Sequence, residues 1–174
     1  MGCRRVRGRV GGRALTAHHG LRFALVEAVL VTVHLIAAGI WFGGSTALVF
    51  VGVPAIRTVE GEGRSRAMKE LGLRWRPLGY GALVVAGLTG VLLASRDWEP
   101  TPSFRIVLGV KVVVFCALLV VSYLHNFVYG PRVQAEVKAG GEQPTRPTLV
   151  AIGWISYSLT MALPLLGVAL AQMA

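Results

Sequence analysis

Four long apolar runs, each closed off by charge, leave this chain few ways to fold. From Ala28 to Val53 the only ionisable side chain is His34, and Leu78 to Ala94 carries no charge between Arg76 and Arg96. Ile106 to Val128 holds Lys111 and His125, and Leu149 to Ala171 is again uncharged. A bilayer core asks for about 17–25 mostly apolar residues per helix, and each run is long enough. A soluble domain of 174 residues could not hide a composition that is 54% hydrophobic, with a mean hydropathy of +0.62.

The expected architecture is all-α, an integral membrane up-down-up-down four-helix bundle. Its helices should cover about residues 23–55, 73–95, 103–130 and 146–172. Residues 1–22 read as a basic N-terminal tail and 23–174 as a single transmembrane domain. The stretch 56–72, with Glu60, Glu62, Arg64, Arg66, Lys69 and Glu70, suits a partly helical interfacial segment.

The net charge of +10 would suggest nucleic acid in a soluble chain. Here the basic residues flank the apolar runs, where lipid headgroups lie, and no aromatic-basic interleaving accompanies them. Orientation stays open: with alternating helices, eight basic residues fall on one side and nine on the other, which the positive-inside rule does not separate. If the basic tail comes from a misplaced start, the first and third loops become cytoplasmic.

Cys3 in the tail and Cys116 in the third run do not read as a pair. The opening "MGCRRV" has Val6 where a myristoylation signal needs Ser or Thr, and no apolar stretch precedes Cys3. The first run is too long for a signal-peptide core and stays as a helix.

Proline is expected to end the first helix at "VPAIR" and the third at "GPRV". Aligning Pro54 with Pro131 gives an offset of 77, which sets His34 opposite Lys111 and fits a two-plus-two hairpin architecture. Gly39, Gly43 and Ala47 form one small-residue stripe and Ala82, Ala86 and Gly90 another, both read as close packing between helices.

Depth decides which ionisable groups can meet. His34 lies roughly 9 Å in from Ala28, and Lys111 roughly 7.5 Å in from Ile106 on a parallel helix. His125 lies roughly 4.5 Å from the other end, so His34 and His125 should not share one metal. Met161, roughly 15 Å before Ala171 on the antiparallel fourth helix, falls within about a turn of the His34 level. Pro164 should open the helix beside it, with Ser156, Ser158 and Thr160 near the freed backbone groups.

His34, Trp41 and Ser45 share one helix face, and Lys111, Leu118, Ser122 and His125 another. A planar apolar ligand with acidic edges suits such an interior. The imidazole would bind a metal, the indole would border the ring, and Lys111 would meet carboxylates; haem has these properties. Met161 is the preferred second axial ligand, with Lys111 as the alternative and His125 as a weaker metal candidate. Each residue also has a plainer use. His34 could bond a carbonyl or Ser45, Lys111 could reach for headgroups, His125 could sit at the interface, and Met161 and Trp41 could pack. His18 and His19 could bind metal from the tail.

"HLIAAGIWFGG", "RWRPLGYGALVVAGLTGVLLA" and "FRIVLGVKVVVF" resemble the membrane domain of the copper-resistance protein D (CopD) family over roughly residues 28–130. The histidine followed seven positions later by tryptophan, with a lysine in a later helix, is also similar to HemJ-type protoporphyrinogen oxidases. These resemblances imply haem b on His34 with methionine as the opposite ligand. They leave four functions open: membrane electron transfer, porphyrinogen oxidation, copper handling through His34 and Met161, and a non-catalytic subunit of a larger complex. The loops hold no methionine- or histidine-rich cluster for copper. The expected setting is the cell (inner) membrane, crossed several times. Expected partners are the lipid bilayer, a quinone or membrane redox partner, and a second copy as a homodimer; nucleic acid is not among them.

Overall fold

The computed structural model describes residues 10–95, 101–140 and 145–173. Cys3, the tail arginines before residue 10 and Arg96 lie outside these, as do the side chains of His18 and His19. The elements are α1 (Val10–Ala47), α2 (Val53–Arg57), α3 (Gly61–Ala94), α4 (Pro102–Tyr123), α5 (Gly130–Lys138) and α6 (Arg146–Ala171). Two π-helical segments, Leu48–Gly52 and Leu124–Tyr129, join α1 to α2 and α4 to α5. Four stretches are long and apolar enough to cross a bilayer: Ala24–Arg57, Gly63–Ala94, Pro102–Lys138 and Arg146–Ala171. The fold is an all-helical four-helix bundle, with α1 packed chiefly on α3 and α4 chiefly on α6.

Helix starts follow local chemistry. Thr101 caps α4 by accepting from the Phe104 N–H at 3.3 Å, with Pro102 in the first turn, where a missing donor costs nothing. Pro147 occupies the first turn of α6. The helix that opens with α1 begins at Val10 and takes in part of the expected tail.

Pro54 and Pro131 do not stop their helices, contrary to expectation. Each follows a π-helical segment, in which the Val53 N–H bonds Leu48 O and the Gly130 N–H bonds His125 O. The wider turn gives the pyrrolidine ring room it lacks in a regular helix, so the chain stays helical past both prolines. The stretch 56–72, expected to be partly helical, is helical at its start and again from Gly61, where it forms the opening of α3, which runs on through Pro77. Polar residues in its first turns favour helix as readily as an interfacial loop when an apolar run follows in register.

Lipid-facing side chains are apolar: Leu35, Val84, Leu88, Ile106, Val113 and Leu165 all stand exposed. The interior mixes polar and apolar groups. Leu118, Leu83, Ser122 and Thr160 are buried to within 2% of full exclusion. Hydrocarbon gains little by leaving lipid for a helix interface, so close packing and hydrogen bonds must hold the helices together.

Glycine supplies the closest approach. The six-membered edge of the Trp75 indole lies where a Gly44 Cβ would stand, and a Gly79 Cβ would be 2.9 Å from Trp75 Cε2 and 3.1 Å from Trp41 Cζ3. Gly39 and Gly43, expected in a packing stripe, face open space instead: a Cβ at either would meet nothing within 4 Å. On α3 the expected stripe is packed: Ala82 and Ala86 are buried, and Gly90 lies against His34. Gly44→Ala should therefore lower stability by about 1–3 kcal/mol through overpacking, whereas Gly43→Ala should be within about 0.5 kcal/mol of wild type. Thermal unfolding of both variants in one detergent measures the difference.

Candidate functional site

His34 leans from α1 onto α3. Its Nδ1 lies 3.0 Å from the Ala86 carbonyl and 3.0 Å from Thr89 Oγ1. The Thr89 hydroxyl in turn donates to Val85 O at 2.7 Å. A carbonyl only accepts, and the threonine proton is already directed elsewhere, so the consistent assignment puts the imidazole proton on Nδ1. Nε2 then carries the lone pair, and no protein partner for it is present among the described residues. Gly90 makes room for the ring, since a Cβ there would stand 3.3 Å from His34 Cε1.

Lys111 reaches the same level from α4. Its Nζ packs on α6, 3.4 Å from where a Gly167 Cβ would be. No carboxylate pairs with Lys111 among the described residues; the ion pair present joins Arg74 to Glu70 at 3.7 Å. An unpaired lysine within an apolar span is costly, and such positions commonly serve a ligand or transport path.

Trp41 and Met161 belong to another level. The Trp41 indole N–H donates to Thr160 Oγ1 at 3.1 Å, and its ring lies 6.1 Å from Trp75 and 6.3 Å from Tyr80. Thr160 passes its own proton to Ser156 O at 3.0 Å. Met161 follows Thr160 directly, while Lys111 meets α6 at Gly167, six residues on. Six residues of helix are roughly 9 Å, so the structure brings His34 and Lys111 to one level and leaves Met161 nearer Trp41.

His125 lies in the second π-helical segment with its Cε1 3.2 Å from a Gly153 Cβ position on α6. Gly153 and Gly167 are separated by fourteen residues of one helix, about 21 Å, which keeps the two histidines apart. A polar cluster that the sequence did not reveal surrounds this end. Arg76 donates to Asn126 O at 2.6 Å and lies 5.0 Å over the Phe127 ring. Tyr80 donates to Ser122 O at 2.9 Å, Asn126 donates to the Tyr80 hydroxyl at 3.2 Å, and Ser122 meets Ser156 at 3.1 Å. In sequence Arg76 marks only the edge of an apolar run, and Thr89 is one hydroxyl among small residues. Nothing in their spacing announced a partner.

Among the described residues no three His, Cys, Asp or Glu side chains gather as a metal cage. Compared with protein-family profiles, curated proteins and solved structures, the chain matches none.

Trp41→Phe keeps an aromatic ring but removes the bond that ties α1 to α6. Interhelical hydrogen bonds in membranes contribute about 0.6–1.7 kcal/mol. The variant should lose stability of that order in detergent unfolding, with the helical circular-dichroism signal below the transition unchanged.

Proposed function

We propose that this chain is a CopD-like protein of the cell membrane that holds haem b through His34 Nε2 and takes part in membrane electron transfer. The observation that carries this reading is the Nδ1 contact with the Ala86 carbonyl. That bond selects the tautomer with a free Nε2 lone pair, fixes the ring plane and makes the imidazole a stronger donor, as carbonyls behind metal-bound histidines do. A bare metal ion would want three or four protein donors, and the described residues offer no such group. Haem brings four nitrogens of its own and asks the protein for one or two, which fits a lone histidine in an apolar bundle.

When bound, the haem supplies one-electron chemistry. The protein's part is to hold and insulate it. Ala86 and Thr89 orient His34, Gly90 leaves space beside the ring, and the apolar faces exclude water. Lipid-soluble quinone or a membrane redox partner is the fitting source or acceptor of electrons for a site so placed.

The visible spectrum of detergent-purified protein, expressed with ample haem and recorded oxidised and reduced, tests the proposal. Wild type should show a Soret band with sharpened bands on reduction. His34→Ala should retain less than about a tenth of the haem, the 1.4 kcal/mol or more expected when an axial donor is lost. His125→Ala should retain most of it. A wild type without a Soret band, or an unshifted full band in His34→Ala, sinks the reading.

A further inference from the structure

The offset of 77 extends well beyond the two prolines. Ser45, Phe50, Val51 and Pro54 recur as Ser122, Phe127, Val128 and Pro131. Tyr80, Gly90, Val91, Leu93 and Ala94 recur as Tyr157, Gly167, Val168, Leu170 and Ala171, at the same offset and with no gap.

The three-dimensional contacts obey the same relation. The π-helical segments Leu48–Gly52 and Leu124–Tyr129 correspond to within one residue. Phe50 packs on Tyr157 with ring centroids 5.6 Å apart, and its counterpart Phe127 packs on Tyr80 at 5.7 Å. A Cβ at Gly90 would stand 3.3 Å from His34 Cε1, and one at Gly167 3.4 Å from Lys111 Nζ. At the centre, Trp41 and Leu118 are counterparts, as are Leu83 and Thr160, and all four are buried. These two ring contacts cross between the halves in opposite directions, each the mirror of the other. That is the signature of a two-fold axis along the bundle, relating parallel repeats.

We propose that the chain is a tandem duplication of a two-helix hairpin, folded as a fused parallel dimer, and that the ligand held by His34 Nε2 takes its second protein donor from the equivalent position, Lys111 Nζ. The second clause rests on the haem reading; the duplication does not. Within the apolar runs, positions 34 and 111 are the one equivalent pair at which both halves carry a basic side chain. They lie at one depth, each seated on a glycine of its own hairpin. Met161 lacks this placement: its counterpart Val84 is 59% exposed and faces lipid, and Met161 itself is roughly 9 Å along α6 from the Lys111 contact. Lys111 Nζ would offer its lone pair to such a ligand only as the neutral amine, its ammonium proton having left to water at the membrane face.

The test uses the full chain, loaded with haem in detergent, read by reduced and oxidised spectra and by electron paramagnetic resonance. Met161→Leu should leave both unchanged. Lys111→Met should keep the Soret band but show the signature of sulfur ligation, and Lys111→His that of two imidazoles. A spectrum altered by Met161→Leu, or untouched by Lys111→Met, overturns the Lys111 assignment. Should wild type hold no haem, the haem reading falls, and with it the assignment of Lys111 as a haem ligand. The equivalence of the two positions is then read with Zn2+ alone. Lys111→His places two imidazoles at two-fold positions, and Zn2+ should raise its thermal midpoint by about 5 °C. Wild type and the His34→Ala/Lys111→His double variant should not respond. No Zn2+-dependent rise in Lys111→His overturns the shared site.

Discussion

Hydrocarbon gains almost nothing by moving from lipid to a helix interface, and every cohesive feature of this bundle answers that constraint. What remains is close contact and hydrogen bonding. Trp75 can lie flat between α1 and α3 only because Gly44 and Gly79 offer no side chain. Trp41 spans from α1 to α6 because Thr160 accepts its proton and has its own partner in Ser156. The same reasoning covers His34: an imidazole within an apolar span is tolerable because Ala86 and Thr89 receive its Nδ1 proton.

The features that could be read from sequence are those set by the solvent and by helical period. Charge at the edges of apolar runs located the four crossings, and the proline-to-proline offset placed His34 and Lys111 together. Features depending on a partner could not be read this way. Proline in isolation predicts a stop, and only the π-helical turn before each one explains why α2 and α5 continue. The stripe Gly39, Gly43, Ala47 and the pair Gly43–Gly44 look alike in a string of small residues. Which glycine faces the neighbouring helix depends on where Trp75 falls, some thirty residues later. Depth counted from helix ends puts Met161 near the His34 level, and helix ends that shift by a turn are enough to move it away.

The two halves also show where an originally symmetric pattern has been abandoned. Thr89 corresponds to Leu166 and Trp41 to Leu118, so the hydrogen bonds that orient His34 and cross to Thr160 belong to one half only. Arg76 corresponds to Gly153, and His125 to Leu48. That last exchange is concerted. The His125 ring occupies the space that glycine opens at 153, while Arg76, in the first half, extends over Phe127 to the Asn126 carbonyl.

These departures make the seam between halves unequal along its length. From the Trp41 level towards Arg76 it is stitched by Trp41 to Thr160, Tyr80 to Ser122 and Arg76 to Asn126, with the Phe50–Tyr157 and Phe127–Tyr80 ring contacts beside them. At the level of His34 and Lys111, among the described residues, no hydrogen bond crosses between halves: His34 bonds within its own hairpin and Lys111 rests on Gly167 of its own. Separating the halves at that level breaks no such bond, whereas separating them at the other end breaks several, each leaving polar groups in a medium with no water to receive them. A ligand of the proposed kind would meet least resistance there, beside His34, whose Nε2 has no protein partner among the described residues.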